Sequence, residues 1–298
     1  MAKEKINLHT HSKFSDGKNT AREHVIAAIE KGFTVLGFSE HSIHPLDPAF
    51  YSAVDSNWHM LPQNFDAYVK EINALKEEFA DRIKIQLGFE ADYFSSPKIG
   101  LALPDKDAYA QFKPDFIIGS VHFINNPGGF FTADNKPEEV EKGLKSFYSD
   151  SNGNINGKAA VCDYFEAERQ MLKNGKFEII GHPDLIKLRN GALNFFDENE
   201  SWYKEQLQLT AKAIAAADVI AEINTGAIAR GLMNDVYPGE QFLGYLKEQG
   251  VPVCINADAH KCEFLDAAFD IAAQKAKRAG YKELTYPSGT TCFCVPLH

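Results

Sequence analysis

Nothing in this 298-residue chain approaches the ~20 consecutive apolar residues of a membrane-spanning helix. Its start, Met1-Ala-Lys-Glu-Lys-Ile-Asn-Leu-His9, has no apolar core of the kind a secretory leader carries. Cysteine is scarce: there are five, an odd number, and their spacings suggest no framework. Cys162 falls in a helical pattern, Cys254 in an apolar strand, and Cys292 and Cys294 alternate in the tail, while Cys262 follows His260 by two residues. The expectation is a cytoplasmic protein with reduced thiols and no membrane attachment. Positive charge is also short. Against 41 Asp and Glu stand 31 Lys and Arg, a formal net charge of −10, which excludes a nucleic-acid binder that works through a basic stripe. The usual phosphate loops are missing too. Gly153-Asn-Ile-Asn-Gly157-Lys158-Ala159 is one residue short of a P-loop, has Ala where Ser or Thr is needed, and lacks a strand before it. There is no Gly-x-Gly-x-x-Gly and no His-Glu-x-x-His, so ATP-dependent and dinucleotide chemistry have no foothold.

What is present is a repeated strand-then-helix pattern over an apolar fraction of 44%, ample for a large core. Strand candidates lie at about 4–9, 34–39, 83–90, 115–122, 177–182, 218–224 and 251–257, each succeeded by a helical pattern, which predicts a parallel α/β sheet. Thr20-Ala-Arg-Glu23 reads as a capping box ahead of Val25, Ile26 and Ile29, with Gly32 closing that helix. Pro62, Pro137 and Pro238 stand where helices can begin, and Gly250 and Gly280 where two end. Thr291 to Pro296 reads as a short extra strand. With no internal repeat and no low-complexity linker, residues 1–298 are expected to form one domain. Two connections, 42–62 and 123–176, are too long to be turns. Both leave C-terminal strand ends and are expected to roof a site.

The strands end in chemistry. His9-Thr10-His11, Ser39-Glu40-His41, Gly88-Phe89-Glu90, Ser120-Val121-His122, Gly181-His182, Glu222-Ile223-Asn224 and Asp258-Ala259-His260 close the seven runs. In a barrel of parallel strands these ends share one face, where such barrels hold their active sites. His9 and His11 are two apart on a strand and point the same way, and Asp258 with His260 repeats that spacing on the last strand. Six converging histidines with several carboxylates are a metal-ligand set, and a set of imidazole and carboxylate without sulfur suits zinc, manganese or iron. Glu222 and Asn224 share a face, from which they could orient a ligand or touch substrate. Glu40 points to the opposite strand face and reads as structural. His24 in a helix and His298 at the terminus read as solvated, and His44 and His59 lie in the first roofing segment.

Taken together, His9-Thr-His11-Ser-Lys-Phe-Ser-Asp16-Gly17, Ser39-Glu40-His41, Gly88-Phe-Glu90-Ala-Asp-Tyr93, Gly119-Ser-Val-His122-Phe123, Gly181-His182-Pro-Asp184 and Asn256-Ala-Asp258-Ala-His260 resemble, in order and over nearly the whole chain, the motifs of the polymerase-and-histidinol-phosphatase (PHP) domain family. The resemblance implies a distorted seven-stranded (β/α)7 TIM-like barrel and three divalent metal ions. His9, His11, Glu90 and Asp258 would hold the first. Glu90 would bridge to a second, completed by His122 and His182. Asp16, His41 and His260 would hold the third. The motif around Glu90, Asp115-Phe-Ile-Ile-Gly-Ser-Val-His122-Phe123 and Gly181-His-Pro-Asp-Leu-Ile186 resemble most the histidinol-phosphate phosphatase branch. That branch implies a phosphomonoester hydrolase acting on L-histidinol phosphate, with a hydroxide held at the metals attacking phosphorus in line. Asp16, Glu90 and Asp258 are its expected catalytic carboxylates, Asp16 and Asp258 being the nearest acids to the leaving group. Arg230, beyond the sixth strand, is the first candidate for phosphate contact. Arg189, beyond the fifth, is the second, with Lys187 as its rival. The alternatives are a phosphodiesterase or exonuclease on the same barrel, and a non-catalytic metal-binding module.

Overall fold

The seven β-branched-rich runs assemble into one parallel sheet in the computed structural model, which describes residues 4–43, 57–96, 100–102, 104 and 106–297. The strands are β1 Ile6–Asn7, β2 Val35–Ser42, β3 Lys84–Asp92, β4 Phe116–Ser120, β5 Ile179–Ile180, β6 Ile220–Asn224 and β7 Val253–Asn256. Their order in space is their order in the chain, and every neighbouring pair is parallel. The longer helices are α1 Ala21–Glu30, α2 Phe65–Glu78, α3 Pro137–Tyr148, α4 Gly157–Asn174, α5 Ser201–Ala217, α6 Glu240–Glu248 and α7 Phe269–Arg278. All residues of β2, β4, β6 and β7 are buried, as expected of strands covered on both faces. The family's seven-stranded barrel is therefore the observed architecture, and Thr20 with Glu23 forms the expected reciprocal cap at the start of α1. No helix among the described residues is long and apolar enough to cross a membrane, and the five cysteines are free thiols.

The seam between β1 and β7 closes without a regular ladder. Past the strand ends, the His11 N–H donates to the Ala259 carbonyl and the Ala259 N–H to the His9 carbonyl, both at 3.0 Å. Below that, two asparagine side chains replace missing backbone partners. The Leu8 N–H donates to Asn256 Oδ1 at 2.8 Å, and the Ala257 N–H to Asn7 Oδ1 at 2.9 Å. Inside the barrel, Phe116 takes the room left by two glycines: a Cβ at Gly88 would stand 2.4 Å from its ring and one at Gly37 2.9 Å. That ring forms an apolar floor one layer beneath Glu90 and His41, which are partners across β2 and β3.

Several sequence expectations need correction. β1 and β5 are two-residue strands rather than the six-residue runs expected, because the chain leaves the ladder to aim its polar residues. Asp258 does not share an extended strand with His260: its φ is 48°, and His182 has φ 25°. Both non-glycine residues hold the left-handed region, a strain that clusters where side chains are placed for function. Thr291–Pro296 is a strand as expected, and it pairs antiparallel with Glu283–Ser288, a strand the sequence pattern does not announce. From the latter, Tyr286 packs under β7 and accepts the Ile255 N–H through its hydroxyl. The 123–176 connection contains the hairpin Phe123–Asn126 with Gly129–Thr132, then α3 and α4. Of the 42–62 connection, residues 44–56, including His44, lie outside the described residues.

The seam makes a measurable demand. Asn7→Ala leaves the buried Ala257 N–H without an acceptor, so stability should fall by about 1–3 kcal/mol. In urea unfolding this appears as a lower midpoint with unchanged slope. An unshifted midpoint would show that the asparagine is not closing the barrel.

Candidate metal centre

Glu90, at the end of β3 and fully buried, stands at the middle of the site. Its Oε2 lies 2.8 Å from His41 Nδ1, 3.1 Å from His9 Nε2 and 3.4 Å from His11 Nε2. Its Oε1 lies 3.0 Å from His182 Nε2 and 3.5 Å from His122 Nε2, and accepts the Ser120 hydroxyl at 2.7 Å. One carboxylate thus divides five imidazoles into two groups. Asp258 Oδ1 reaches the first group at 3.2 Å from His11 Nε2 and 3.7 Å from His9 Nε2. Asp16, on the loop after β1, lies 3.1 Å from His260 Nε2 and 3.8 Å from His41 Nε2. All nine residues expected to carry metal are brought to one mouth. Ligand atoms of His9, His11 and Glu90, of Glu90, His122 and His182, and of His11, Asp16, His41 and His260 each gather within 4.8 Å.

The donor atoms fit cations. His9 Nε2, His11 Nδ1 and Nε2, His41 Nδ1, Asp16 Oδ1 and Glu90 Oε2 are buried and make no hydrogen bond of good geometry. Unmade polar contacts at this density are costly in an interior, and divalent cations would satisfy them. The local field agrees. Burial works to raise the Glu90 pKa, but His9, His41 and His122 hold it well below the usual carboxylate range. Burial opposes charge on His41 and His122, yet Glu90 holds the first up at about 9, and Asp92 with Glu90 holds the second at about 10. His11 goes the other way, pushed well down by burial and by His41 and His260. A field that gathers protons on imidazoles is one that gathers metal ions.

Two further carboxylates orient the imidazoles. Fully buried Glu222 accepts His9 Nδ1–H at 2.7 Å and Asn256 Nδ2 at 2.9 Å on one oxygen. On the other it accepts the His182 N–H at 3.1 Å and Asn224 Nδ2 at 2.9 Å. With Nδ1 committed, His9 turns Nε2, the nitrogen a cation would use, to Glu90. Of the pair left open on sequence between orienting a ligand and touching substrate, Glu222 thus holds the His9 imidazole, and Asn224 supports it through the Glu222 carboxylate while accepting the Gly226 N–H. Asp92 treats His122 likewise, accepting from its Nδ1 on one oxygen and from His59 Nε2 on the other. The sequence reading misses that pair, although Asp92 sits two residues past Glu90 on one strand and so shares its face. His59 is thereby more than part of a roofing segment.

Glu40 is structural as expected, with a specific task. It accepts the Ser12 N–H at 2.9 Å, the Ser12 hydroxyl at 2.6 Å and the Ser15 hydroxyl, fixing the loop that carries Asp16. The same loop needs Gly17, where a Cβ would fall 2.1 Å from the His11 carbonyl oxygen. His24 is a correction: it is fully buried against Phe38 rather than solvated, and burial lowers its pKa to about 4. His298 lies outside the described residues.

The mouth opens into a cavity of about 810 Å³ lined by residues of this cluster, by Trp58, Phe123, Phe130 and Phe131, and by Arg189 and Arg230. Arg230 lies against the metal residues, its Nη2 3.2 Å from Asp258 Oδ2. Arg189 lines the wall, but its Nε donates to the Asn135 carbonyl at 2.5 Å and its Nη2 to the Asp134 carbonyl at 2.7 Å, so its fork is occupied by backbone. Lys187 is a plain correction. It is buried away from the cavity, with Nζ 2.9 Å from Asp184 Oδ2 and donating to the Val236 carbonyl at 3.0 Å, and it cannot serve as a phosphate contact.

Known proteins resemble the chain over most of its length. The PHP domain matches residues 7–226. Over 287 residues the chain is 29% identical to a Schizosaccharomyces pombe protein named "Probable histidinol-phosphatase", covering 94% of this chain and 88% of that one. A Bacillus subtilis protein named "Histidinol-phosphatase" is 26% identical over 277 residues, 90% of this chain and 97% of its own. The solved histidinol phosphate phosphatase of Lactococcus lactis, complexed with zinc, L-histidinol and phosphate, superposes with a TM-score of 0.68 at 22% identity, covering 98% of this chain and 100% of that one. That likeness shows the shared barrel.

The orienting carboxylate and the charged imidazoles can each be tested. Glu222→Gln places an amide where four donors converge, and should weaken zinc or manganese binding about 10–100-fold while the protein stays folded; unchanged affinity by calorimetry would remove Glu222 from its orienting role. Protons and metal also compete. With His41 held at about 9 and His122 at about 10, chelator-stripped protein carries protons at pH 7 on lone pairs that a cation needs. Metal binding should therefore release protons at pH 7, and affinity should rise as pH climbs towards 9. Calorimetric titration in buffers of different ionisation enthalpy reads the release directly, and a value of zero contradicts the assignment.

Proposed function

The chain belongs to the PHP domain family, and from that premise we propose that it is a metal-dependent phosphomonoester hydrolase whose substrate is L-histidinol phosphate. The observation that carries the reading is Glu90, one buried carboxylate facing His9, His11 and His41 with one oxygen and His122 and His182 with the other, beside a cavity that Arg230 lines. Relatives named as histidinol-phosphatases match over nearly the full length of both chains, which supports the substrate. The grouping of donors supports three divalent ions, and the absence of sulfur among these donors favours zinc, manganese or iron. When bound, such ions withdraw charge from phosphoryl oxygens and make water acidic enough to furnish a nucleophile near neutral pH.

The protein's own part is placement. Glu90, Asp258 and Asp16 would hold the cations at the mouth, together with the imidazoles gathered there. Burial raises the pKa of Asp258 and Asp16, but Arg230 and His9 for the first, and His260 and His41 for the second, hold both well below the usual carboxylate range. Neither therefore carries a proton at neutral pH to give the leaving alkoxide; their work is to hold cations. Arg230 has a different task. Its guanidinium is anchored through Nη2 to Asp258 and lines the cavity, where it meets a phosphoryl oxygen with fixed geometry. The cavity volume is that of a small-molecule site. Free thiols fit a cytoplasmic setting, and the whole chain is read as one catalytic domain.

The test pairs a chromogenic phosphomonoester and L-histidinol phosphate with a diester, with and without chelator. Monoester turnover that disappears with chelator, and no diester turnover, is expected; the reverse preference would replace this reading with a nuclease. Arg230→Ala should keep its full metal content, since guanidinium has no lone pair to donate to a metal. It should nevertheless lose about 10²–10³ in kcat/KM through lost charge stabilisation. Wild-type efficiency in that variant would place the phosphate elsewhere.

A further inference from the structure

Asp134 comes just after the hairpin that covers the metal mouth, and three bonds fix where it sits. The Ala133 N–H donates to the His122 carbonyl at 2.8 Å, tying the segment to a residue of the metal group. Arg189 then grips the next two carbonyls, Asp134 and Asn135, from 55 and 54 residues away in sequence. The carboxylate so held lines the cavity, and among the described residues it makes no hydrogen bond or ion pair of its own. The rings of Trp58, Phe123, Phe130 and Phe131 line the same cavity, the Trp58 ring centroid 4.8 Å from that of His41 and 5.2 Å from that of His122. The metal residues and Arg230 therefore share one small space with a positioned acid and an aromatic shelf.

A phosphate dianion suits the metal residues and Arg230. Asp134 with the aromatic rings suits a cation attached to a flat or apolar body. We propose that Asp134 is the specificity-determining carboxylate of this site, receiving a primary ammonium group on the leaving alcohol, so that amino-alcohol phosphates are selected over alcohol phosphates without nitrogen. This rests on the phosphomonoesterase reading above and refines it. Arg189, expected to meet phosphate, acts instead as a positioning residue for Asp134. A charge-assisted contact of this kind contributes about 1.5–3 kcal/mol, or about 10–10²-fold in selectivity.

The experiment measures kcat/KM of the manganese- or zinc-loaded enzyme for L-histidinol phosphate and for its deaminated analogue, the imidazolyl-propyl phosphate. Wild type should prefer the amine about 10–10²-fold, Asp134→Asn should bring the ratio near one, and Asp134→Glu should restore part of it. Glu139→Gln, altering the exposed acid at the rim, should leave the ratio as in wild type. Product inhibition gives a readout that needs no variant: L-histidinol should inhibit the wild type more strongly than the deaminated alcohol by a similar factor. Equal ratios in wild type and Asp134→Asn, or a ratio that moves with Glu139→Gln instead, overturn the assignment while leaving the phosphatase intact. Should the loaded wild type hydrolyse neither monoester, the phosphatase reading falls and the Asp134 assignment falls with it.

Discussion

Burying an ionised carboxylate in a barrel whose floor is a phenylalanine ring costs several kcal/mol unless opposite charge meets it at close range. Glu90 is in that position above Phe116, and much of the surrounding structure can be read as the answer. Five imidazoles surround its two oxygens. Imidazoles without fixed tautomers would be poor partners, so Glu222 and Asp92 take up the Nδ1 positions of His9 and His122. Those carboxylates are buried in their turn, and each has donors for both oxygens: Asn256, Asn224 and the His182 N–H for Glu222, His59 for Asp92. The net result is an excess of acid at the strand ends that protons or divalent cations can balance. A chain with net charge −10 can in this way hold a phosphate ester, because the sign of the site is set by what the acids bind.

The seam belongs to the same network. Asn256 uses its Oδ1 to accept the Leu8 N–H and its Nδ2 to donate to Glu222, so one side chain both closes the barrel and orients the carboxylate behind His9. Closing the sheet and assembling the metal mouth are consequently coupled. β1 and β7 are short because their continuation is given over to this work, and the left-handed backbone at Asp258 turns its side chain towards His11 and Arg230.

Most of this is legible from period and position. Seven apolar runs that close on His, Glu, Asp or Asn are enough to bring six histidines with Glu90 and Asp258 to one barrel end, whereas Asp16, on a loop, is indicated only by the family resemblance. The capping box at Thr20 and Glu23 is equally local and equally legible. The features that escape a sequence reading depend on contacts between segments distant in the chain. Asp92 and His59 meet across a roofing loop, so neither position alone marks their pairing. Lys187 and Arg189 are two residues apart in a short 3-10 turn, Leu185–Arg189, and nothing local says that one turns inward to Asp184 while the other reaches the hairpin. His24 has an ordinary helical context, and its burial is decided by the packing of α1 on β2. Strand Glu283–Ser288 contains a proline and begins on a charge, and only its pairing with Thr291–Pro296 makes it a strand.

The division of labour between barrel and connections has a physical reason. A metal cluster needs several donors held at once to within a few tenths of an ångström, and the central carboxylate, Glu90, sits on a strand paired on both sides. Groups facing the organic part of a substrate need less rigidity and more variety, and here they come from the hairpin after β4 and from Trp58. Such a hairpin would be free to drift were its base not tied down. Ala133 binds it to the carbonyl of His122, and Arg189 holds Asp134 and Asn135 from the far side of the mouth. Because Arg189 grips carbonyl oxygens and not side chains, the residue at 134 could change while the backbone stays where it is. The same clamp could present a different group to a different alcohol, leaving Glu90 and its imidazoles untouched. Chemistry and selectivity are thus carried by separate parts of the chain that meet at one cavity wall.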